Sequence, residues 1–351
     1  MADFNTWKQN LPTKKQRSDV EKWYREQMRG DAADESEIKI KTKLENQMEH
    51  DRIVGKIALL FTPDDYVSQN SNCHFISYDP LCELGGKNAD ILIFHPDTHT
   101  ALIIEVKTGQ RDPISDFKKK REIIEKKRDY LEKMLKNNIL NFEYLLVVLG
   151  LNRASELKND CAENGFVLGF IEEDMLRLHS SSSLEISTLN EILKKGETLD
   201  ASDAIHIMLG SHEFHILSNT LRQLIHEKLC EMPTSQDASE IKEFTKEEFK
   251  MAFQKLACIE SIAKGSNYDK YMENRVDEWI KTGLDTGLIK STTSNTYKIF
   301  AQATKSIGKI VQTMEKKYID WYIDAHRKKI AEDNVKAQYR KKYKLQETLD
   351  L

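Results

Sequence analysis

Residues Asn88–Gly109 read NADILIFHPDTHTALIIEVKTG, and this stretch decides the fold. Two apolar runs, Ala89–Phe94 and Ala101–Val106, flank the polar run His95–Thr100, which contains a proline and an aspartate typical of turns. The pattern predicts two antiparallel strands joined by a short turn. Because the strands are continuous apolar runs rather than alternating ones, both faces of the hairpin are expected to be buried.

Three charged residues interrupt this apolar hairpin: Asp90, Glu105 and Lys107. A turn centred between Asp97 and Thr98 pairs Asp90 with Glu105, and the Cβ atoms of such a pair lie about 4.5–5.5 Å apart. Lys107 follows Glu105 by two residues and therefore points to the same face of the sheet. Buried charges are costly unless they are paired or bind a metal.

The three side chains suit divalent-cation chemistry. Asp90 and Glu105 supply the hard oxygen ligands that Mg²⁺ prefers, and Mn²⁺ prefers the same ligands. Lys107, at the edge of the site, is placed to position a metal-activated water or to stabilise charge on a phosphate. The alternative interpretation is a salt bridge that closes the hairpin.

An acid at the start of one strand, followed by an acid-x-Lys triplet on the next strand, resembles the pattern of the PD-(D/E)xK nuclease superfamily. That superfamily includes many restriction endonucleases and Holliday-junction resolvases. Here the pattern is Asp90, then Glu105-Val106-Lys107. Glu-x-Lys also occurs in polar, helix-like sequence, at residues 37–39, 125–127, 240–242 and 315–317. The triplet at Glu105 is distinguished by its place at the end of an apolar strand.

The resemblance implies an enzyme that hydrolyses DNA phosphodiesters with Mg²⁺, for which Mn²⁺ can substitute. It implies that Asp90, Glu105 and the Val106 carbonyl bind the metal. It also implies that Lys107 orients the attacking water or helps to deprotonate it.

Members of this superfamily often carry a further glutamate on the helix before the first strand. Glu45 is the candidate in this chain, and Glu49, one turn on, is the alternative. Glu83, in the loop that precedes Asp90, is a second candidate acid near the metal. A solvated helix glutamate is the competing interpretation of Glu45.

After the hairpin, Asp112-Pro113 predicts the start of a helix that runs to about Asn137–Asn138. Residues 113–138 contain nine Lys or Arg against five Asp or Glu, so this helix is locally basic. A solvated face is one interpretation. The other is that its first turns line the path of a phosphate backbone, with Lys118 and Lys119 as contacts and Gln110 touching substrate.

The predicted elements of residues 35–179 follow the order α-β-β-β-α-β-α-β, which matches the resembled family. We therefore expect an α/β fold with a restriction-endonuclease-like mixed β-sheet core flanked by helices. His179 and Ser180–Ser183 form a polar break that predicts a domain boundary. The expected organisation is a helical lead-in over residues 1–34, a nuclease domain over 35–179 and a mainly α-helical domain over 184–351.

The C-terminal half contains several local signals. Phe244-Thr245-x-x-Glu248-Phe249 is a capping box with a hydrophobic staple, so a helix is expected from Thr245. Residues 268–281 predict another helix, and Leu288–Phe300 a small hairpin, which together suggest a winged-helix or dimerisation unit. Apolar residues then recur at spacings of four and three, as in the seam of a long helix: Ile307, Val311, Met314, Tyr318, Trp321 and Ala325.

Composition excludes some classes of protein. No apolar run approaches the roughly 18 residues of a membrane span, and the N-terminus lacks an apolar signal region, so no membrane association is expected. The five cysteines contain no CxxC pair, which suits a reducing cytoplasm. His212–His215 reads HEFH, one residue short of the HExxH spacing of zinc proteases.

The favoured function is a type II-like restriction endonuclease that binds DNA. Cutting of both strands by single active sites implies a homodimer, and a restriction system implies a separately encoded partner subunit or methyltransferase. The alternatives are an effector nuclease of another antiviral defence system and a transposon-end or junction nuclease. A non-catalytic DNA-binding protein that retains the nuclease fold is the alternative from a different class.

Overall fold

The computed structural model describes residues 4–28, 33–85, 88–109, 112–199, 211–230, 243–257, 263–293, 295–299 and 307–343. In these ranges the chain begins with helices α1 (Phe4–Gln9), α2 (Lys14–Met28), α3 (Ala33–Leu59) and α4 (Tyr66–Ser71). Three strands follow: β1 (His74–Tyr78), β2 (Ile91–His95) and β3 (Thr100–Lys107). Helices and further strands come next: α5 (Pro113–Lys126), α6 (Arg128–Leu135), β4 (Asn141–Leu149), α7 (Leu151–Glu163), β5 (Val167–Glu172), β6 (Met175–Leu178), α8 (Ser187–Lys195) and β7 (Glu197–Thr198).

The strands β1 to β7 form one mixed sheet in sequence order. Neighbouring strands are antiparallel from β1 to β3, parallel from β3 to β5 and antiparallel again from β5 to β7. Parallel neighbours need a crossover connection, which α5 and α6 supply between β3 and β4, and α7 between β4 and β5. The predicted mixed α/β architecture is therefore confirmed.

The hairpin of β2 and β3 has the predicted register. Ile91 lies opposite Ile104 and His95 opposite Thr100, and the same register places Asp90 opposite Glu105. All of β2 is buried, as is all of β3 except Lys107, which is half-buried. The predicted burial of both faces is therefore confirmed, and helices cover both sides of the hairpin.

Alternate residues of the hairpin belong to two separate cores. Ile91 and Ile104 lie in the core that α3 helps to form, whereas Leu92 and Ile103 lie in the core formed with α5, α6 and α7. Since successive strand residues point to opposite faces, α3 and α5 pack on opposite sides of the sheet. The ends of β2 and β3 are therefore accessible to residues from both helical layers.

The helix expected from residue 113 to about 138 begins as predicted but is interrupted. The Asp112 carboxylate caps its start by accepting from Ile114 N at 3.0 Å, with Pro113 in the first helical turn. The helix ends at Lys126, because Lys127 leaves helical geometry with φ −109° and ψ 21°. Basic residues stabilise a helix C-terminus by interacting with its dipole, and the run from Lys126 to Arg128 lies at this break.

The sheet continues past the expected boundary at residues 179–184. The serine-rich segment is a packed connection between β6 and α8: the Ser182 hydroxyl accepts from Leu168 N at 3.1 Å, and the Glu143 carboxylate accepts from Glu185 N at 2.6 Å. Strand β7 then pairs with β6. The serines that suggested a linker are used as local hydrogen-bond partners within the sheet layer.

The C-terminal region is mainly helical, as predicted. It contains α9 (Glu213–Cys230), α10 (Lys246–Leu256), α11 (Tyr268–Asp285) and α12 (Ile307–Tyr343), with the short strands β8 (Phe244–Thr245), β9 (Ile289–Ser291) and β10 (Thr296–Ile299). The expected hairpin is β9 with β10, and β8 pairs on the other side of β10. Buried residues of α9 to α12 share one core with α3 and the sheet.

The long-helix seam is present only in part. Met314 and Tyr318 are buried and Trp321 is partly buried, but Ala325 is exposed. The side chains of Ile307 and Val311 lie outside the described residues. Beyond residue 325, α12 packs against α2 through a separate apolar cluster that includes Trp23, Val335 and Tyr339.

None of the described helices is long and apolar enough to cross a lipid bilayer.

The Thr245 capping box provides a test of this fold. The Thr245 hydroxyl accepts from Glu248 N at 3.2 Å, and the Glu248 carboxylate accepts from Thr245 N at 2.6 Å. Thr245→Ala removes the hydroxyl, and we expect it to lower the free energy of unfolding by about 1 kcal/mol in urea denaturation. Thr245→Ser keeps the hydroxyl and serves as the control. Equal stability of the two variants would show that the Thr245 hydroxyl does not stabilise the helix as a cap.

Candidate active site

The hairpin register brings the two predicted carboxylates together at one end of β2 and β3. Asp90 immediately precedes β2 and is 9 % exposed, and Glu105 is 1 % exposed near the end of β3. The Asp90 carboxylate is fixed to the neighbouring strand, because its Oδ2 accepts from Val106 N at 2.7 Å. Lys107 is half-buried beside Glu105. All three predicted motif residues are therefore assembled at one place.

The two oxygens of Glu105 have unlike surroundings. Its Oε1 contacts Lys120 Nζ at 2.5 Å and Lys107 Nζ at 2.7 Å. Its Oε2 is buried and has no hydrogen-bond partner among the described residues. An unpartnered carboxylate oxygen in a buried position is costly, so this oxygen is a natural place for a further cation.

Lys120 and Asp116 come from α5 and are one helical turn apart. Asp116 Oδ2 lies 2.9 Å from Lys107 Nζ and 3.9 Å from Lys120 Nζ. The lysines predicted to touch substrate, Lys118 and Lys119, are exposed on other faces of the same helix. Sequence reasoning missed Lys120, although its position three residues after the buried Phe117 places it beside the core-facing stripe.

Helix α3 contributes His50 to the site rather than a glutamate. His50 Nε2 lies 3.2 Å from the Val106 carbonyl oxygen and 3.5 Å from Asp90 Oδ2. Its Nδ1 lies 3.3 Å from Asp51 Oδ1, and Asp51 is buried and also accepts from Gln47 at 2.8 Å. A short chain of polar groups therefore fixes the imidazole against two of the predicted metal ligands.

The structure does not bring the predicted helix glutamates, Glu45 and Glu49, to the cluster. Glu45 and Glu49 are both exposed, and Glu49 lies 3.5 Å from Arg52 in a surface ion pair. In a helix of 3.6 residues per turn, Glu45 is about half a turn away from the buried Val54, whereas His50 is on nearly the same face as Val54. The apolar stripe of α3 was the signal that could have identified His50.

Two other predicted residues are not part of this cluster. The Glu83 carboxylate accepts from the backbone N–H groups of Gly265, at 2.9 Å, and Asn267, at 3.3 Å, so it joins the β1–β2 connection to the start of α11. Gln110 lies outside the described residues.

Burial and neighbouring charges shift the two acids in opposite directions. Burial would raise the pKa of Asp90, but hydrogen bonding to His50 and the charge of His50 hold that pKa below its usual value. Burial and the nearby Asp90 raise the pKa of Glu105 to about 7, against the opposing effect of Lys120 and Lys107. The two carboxyls therefore titrate as an interacting pair, and their surroundings move the two pKa values apart.

The cations of the site retain their protons. Burial favours neutral His50, yet hydrogen bonds to Asp51 and Asp90 raise its pKa to about 10. Burial likewise disfavours charged Lys107, but Glu105 and then Asp116 raise its pKa above the ordinary value. In the absence of a metal ion, His50 is thus an imidazolium and Lys107 an ammonium at neutral pH.

The residues present fit a divalent cation. Among the described residues no group of three or more His, Cys, Asp or Glu side chains is already placed to hold a metal. However, Asp90 Oδ2 and the Val106 carbonyl oxygen both lie close to His50 Nε2. In addition, one oxygen of Glu105 has no hydrogen-bond partner among the described residues. Oxygen ligands with one imidazole suit Mg²⁺ or Mn²⁺, provided that His50 loses a proton on binding.

A polar cavity of about 570 Å³ opens beside Lys107. The ends of β3, β4 and β5 and the first two turns of α7 line it, and Arg153 and Glu156 belong to those turns. The carboxyl ends of parallel strands are the usual place for a ligand in α/β sheets. This cavity provides room for part of a substrate next to the motif lysine.

Comparison with known proteins adds one relative. No family model and no solved structure matches the chain. An uncharacterized protein of Archaeoglobus fulgidus is 26 % identical over 301 residues, which cover 76 % of this chain and 79 % of the relative. The similarity extends over most of both chains, and the name of the relative states no activity.

Helix α3 offers a matched pair of variants to test the site. We expect His50→Ala to weaken Mn²⁺ binding at least about tenfold, because it removes the group that lies against Asp90 and Val106. Glu45→Ala, on the exposed face of the same helix, is expected to leave the affinity unchanged. Isothermal titration calorimetry measures both. Weakened binding in Glu45→Ala with no change in His50→Ala would contradict this description of α3.

Proposed function

We propose that this protein is a Mg²⁺-dependent DNA endonuclease of the PD-(D/E)xK type, most similar in plan to a type II restriction endonuclease. The single observation that carries the proposal is the hairpin end at which Asp90 and Glu105 are paired and buried with Lys107 on the same face. A buried pair of carboxylates is unfavourable by itself, and divalent-metal chemistry on phosphates is the use that best explains it.

The order of elements supports the same proposal. Helix α3 precedes the antiparallel strands β1 to β3, and the crossover through α5 and α6 leads to β4, which is parallel to β3. This is the succession expected for a restriction-endonuclease-like core. Strands β5 to β7 extend that core.

In this proposal Asp90, Glu105, the Val106 carbonyl and His50 hold the metal ion. Bound Mg²⁺ supplies activation of a water molecule and stabilisation of charge on a phosphate oxygen. Glu105 must exchange its contacts with Lys107 and Lys120 for the ion, which leaves both ammonium groups to donate hydrogen bonds to a phosphate.

The raised pKa of Lys107 in the metal-free protein supports one of the two roles that the motif allows. A lysine that retains its proton cannot accept one from water at neutral pH. In this proposal Lys107 orients the attacking water or the phosphate through donated hydrogen bonds, and its contact with Asp116 favours the charged form when Glu105 holds the ion.

The proposed path of the DNA backbone is along α5, on which Lys118 and Lys119 are exposed. The exposed face of α11 is less suited to that role, because it carries an excess of acidic side chains: Asp269, Asp277, Glu278 and Asp285 against Lys270 and Lys281. We therefore assign α11 to assembly, including a homodimer, rather than to the grip on DNA.

The proposed setting is the cytoplasm, which the free thiols of Cys73, Cys82 and Cys161 suit. A restriction system would add a separately encoded methyltransferase or partner subunit. An effector nuclease of another defence system would use the same chemistry without sequence specificity.

One observation favours a second candidate, a non-catalytic DNA-binding protein that retains the fold. His50, Lys107 and Lys120 already place three cations against Asp90 and Glu105, so the cluster can neutralise itself without a metal. Such a protein would bind DNA and would be indifferent to Mg²⁺.

Plasmid cleavage tests the proposal. Supercoiled plasmid and phage DNA are incubated with the protein in Mg²⁺ or in EDTA. We expect Mg²⁺-dependent cleavage that Lys107→Ala abolishes and that Lys158→Ala, an exposed lysine of α7, preserves. Discrete fragments would indicate a restriction-type enzyme, and complete degradation an effector nuclease. Cleavage that persists in EDTA or in Lys107→Ala would refute the assigned site, and DNA binding without cleavage would favour the non-catalytic candidate.

Salt dependence tests the DNA path. Each protein–phosphate contact contributes about 0.9 to the slope of log affinity against log salt concentration. If Lys118 and Lys119 both contact phosphates, the double replacement Lys118→Gln with Lys119→Gln reduces that slope by about 2 and weakens binding of a duplex in EDTA. Lys158→Gln is the control. An unchanged slope in the double variant would show that the backbone does not lie along α5.

A further inference from the structure

A second cavity lies between α3 and α12, with a volume of about 220 Å³. Its walls are the aliphatic side chains of Ile40 and Leu44 on one side and the rings of Tyr318 and Tyr322 on the other, with His212 at the start of α9. Tyr318 and His212 meet edge to face, with ring centroids 5.8 Å apart. None of these residues belongs to the proposed nuclease site.

The walls of this α3–α12 groove are mainly apolar. Burial, with His215 and Lys43 nearby, lowers the pKa of His212 to about 4, so its imidazole is neutral at physiological pH. A dry cavity of about 150 Å³ is sufficient to bind benzene in another protein. The groove therefore has the size and lining for one planar ring system, and it is too small to enclose a larger ligand.

The rim of the groove is polar and carries more positive than negative charge. Lys39 and Lys43 line it from α3, against one carboxylate, Asp333, from α12. Lys39 Nζ donates to Asn334 Oδ1 at 3.0 Å, which places an ammonium and an amide side by side at the edge of the apolar walls. A ligand that satisfies both parts has a planar ring inside and an anionic group outside.

We propose that the α3–α12 groove binds a nucleotide. The base lies between the partly exposed ring of Tyr322 and the side chain of Ile40, and the phosphate lies at Lys39 and Lys43. Stacking on aromatic side chains tolerates any base, because every base has a π face. The source of this chemistry is either a free nucleotide or an unpaired nucleotide of a strand.

The groove shares a helix with the nuclease site. His215 Nε2 lies 2.9 Å from the Leu44 carbonyl oxygen, which joins α9 to the part of α3 that lines the groove. His50, six residues after Leu44 on the same helix, contacts Asp90 and the Val106 carbonyl. A nucleotide in the groove thus contacts the helix that positions His50.

Binding of AMP, GMP, CMP and UMP by calorimetry tests this inference, with single-stranded pentanucleotides as the second arm. The titrations are made in EDTA, so the result is independent of the proposed nuclease activity. We expect saturable binding that Lys43→Gln weakens about tenfold, through loss of a charge-assisted contact to phosphate, and that Tyr322→Leu weakens through loss of stacking. Lys41→Gln, exposed on α3, and Tyr66→Leu, 60 % exposed on α4, are the controls.

Two outcomes support the inference and two overturn it. Tighter binding of mononucleotides identifies a free nucleotide as the ligand, and tighter binding of pentanucleotides identifies a strand, provided that the groove variants weaken either one. Absence of saturable binding to every probe would overturn the inference. Binding that Lys43→Gln and Tyr322→Leu leave unchanged would place the ligand elsewhere and overturn it as well. Circular dichroism of each variant confirms that it is folded.

Discussion

The burial of two opposing carboxylates at one end of a hairpin is the constraint on which this structure depends. The register of β2 and β3 places Asp90 opposite Glu105, and both are almost inaccessible to water. Like charges at this separation disfavour each other's ionisation, and burial adds to that effect. Lys107 supplies one cation from within the hairpin, and two further cations come from outside it.

Those cations come from two helices that pack on opposite faces of the sheet. Helix α5 shares a core with Leu92 and supplies Lys120 to Glu105, whereas α3 shares a core with Ile91 and supplies His50 to Asp90. Each helix is anchored by its own apolar stripe, so its orientation fixes which polar residue reaches the strand ends. The site therefore depends on how the two helical layers pack against the sheet, as well as on the motif itself.

The hairpin could be predicted from the sequence because its information is local. Continuous apolar runs, a turn with Pro96 and Asp97, and the period of two in a strand are sufficient to pair Asp90 with Glu105. The caps at Asp112 and Thr245 were predicted for the same reason. The break at Lys127 and the continuation of the sheet to β7 depend on packing between elements distant in sequence, and local patterns do not contain that information.

Which helix residues reach the site depends on how each helix is rotated about its own axis. Glu45 was selected because the resembled family often has a glutamate on this helix, yet the apolar stripe through Val54 turns Glu45 to solvent and His50 to the strands. Lys118 and Lys119 were selected for charge and proximity, but Lys120 is the lysine that reaches Glu105. In both cases the position relative to the buried stripe of the helix was more informative than residue type.

We propose that the self-neutralised cluster around Asp90 and Glu105 is the metal-free form of a metal-binding site. The most direct test is a crystal structure of the protein with Mn²⁺, in which anomalous scattering locates the ion. We expect one anomalous peak bound by Asp90, Glu105, the Val106 carbonyl and His50, with ligand distances of about 2.1 Å and with Lys107 and Lys120 released from Glu105. An empty site at saturating Mn²⁺, with Glu105 still held by both lysines, would contradict it and identify the cluster as a buried salt bridge.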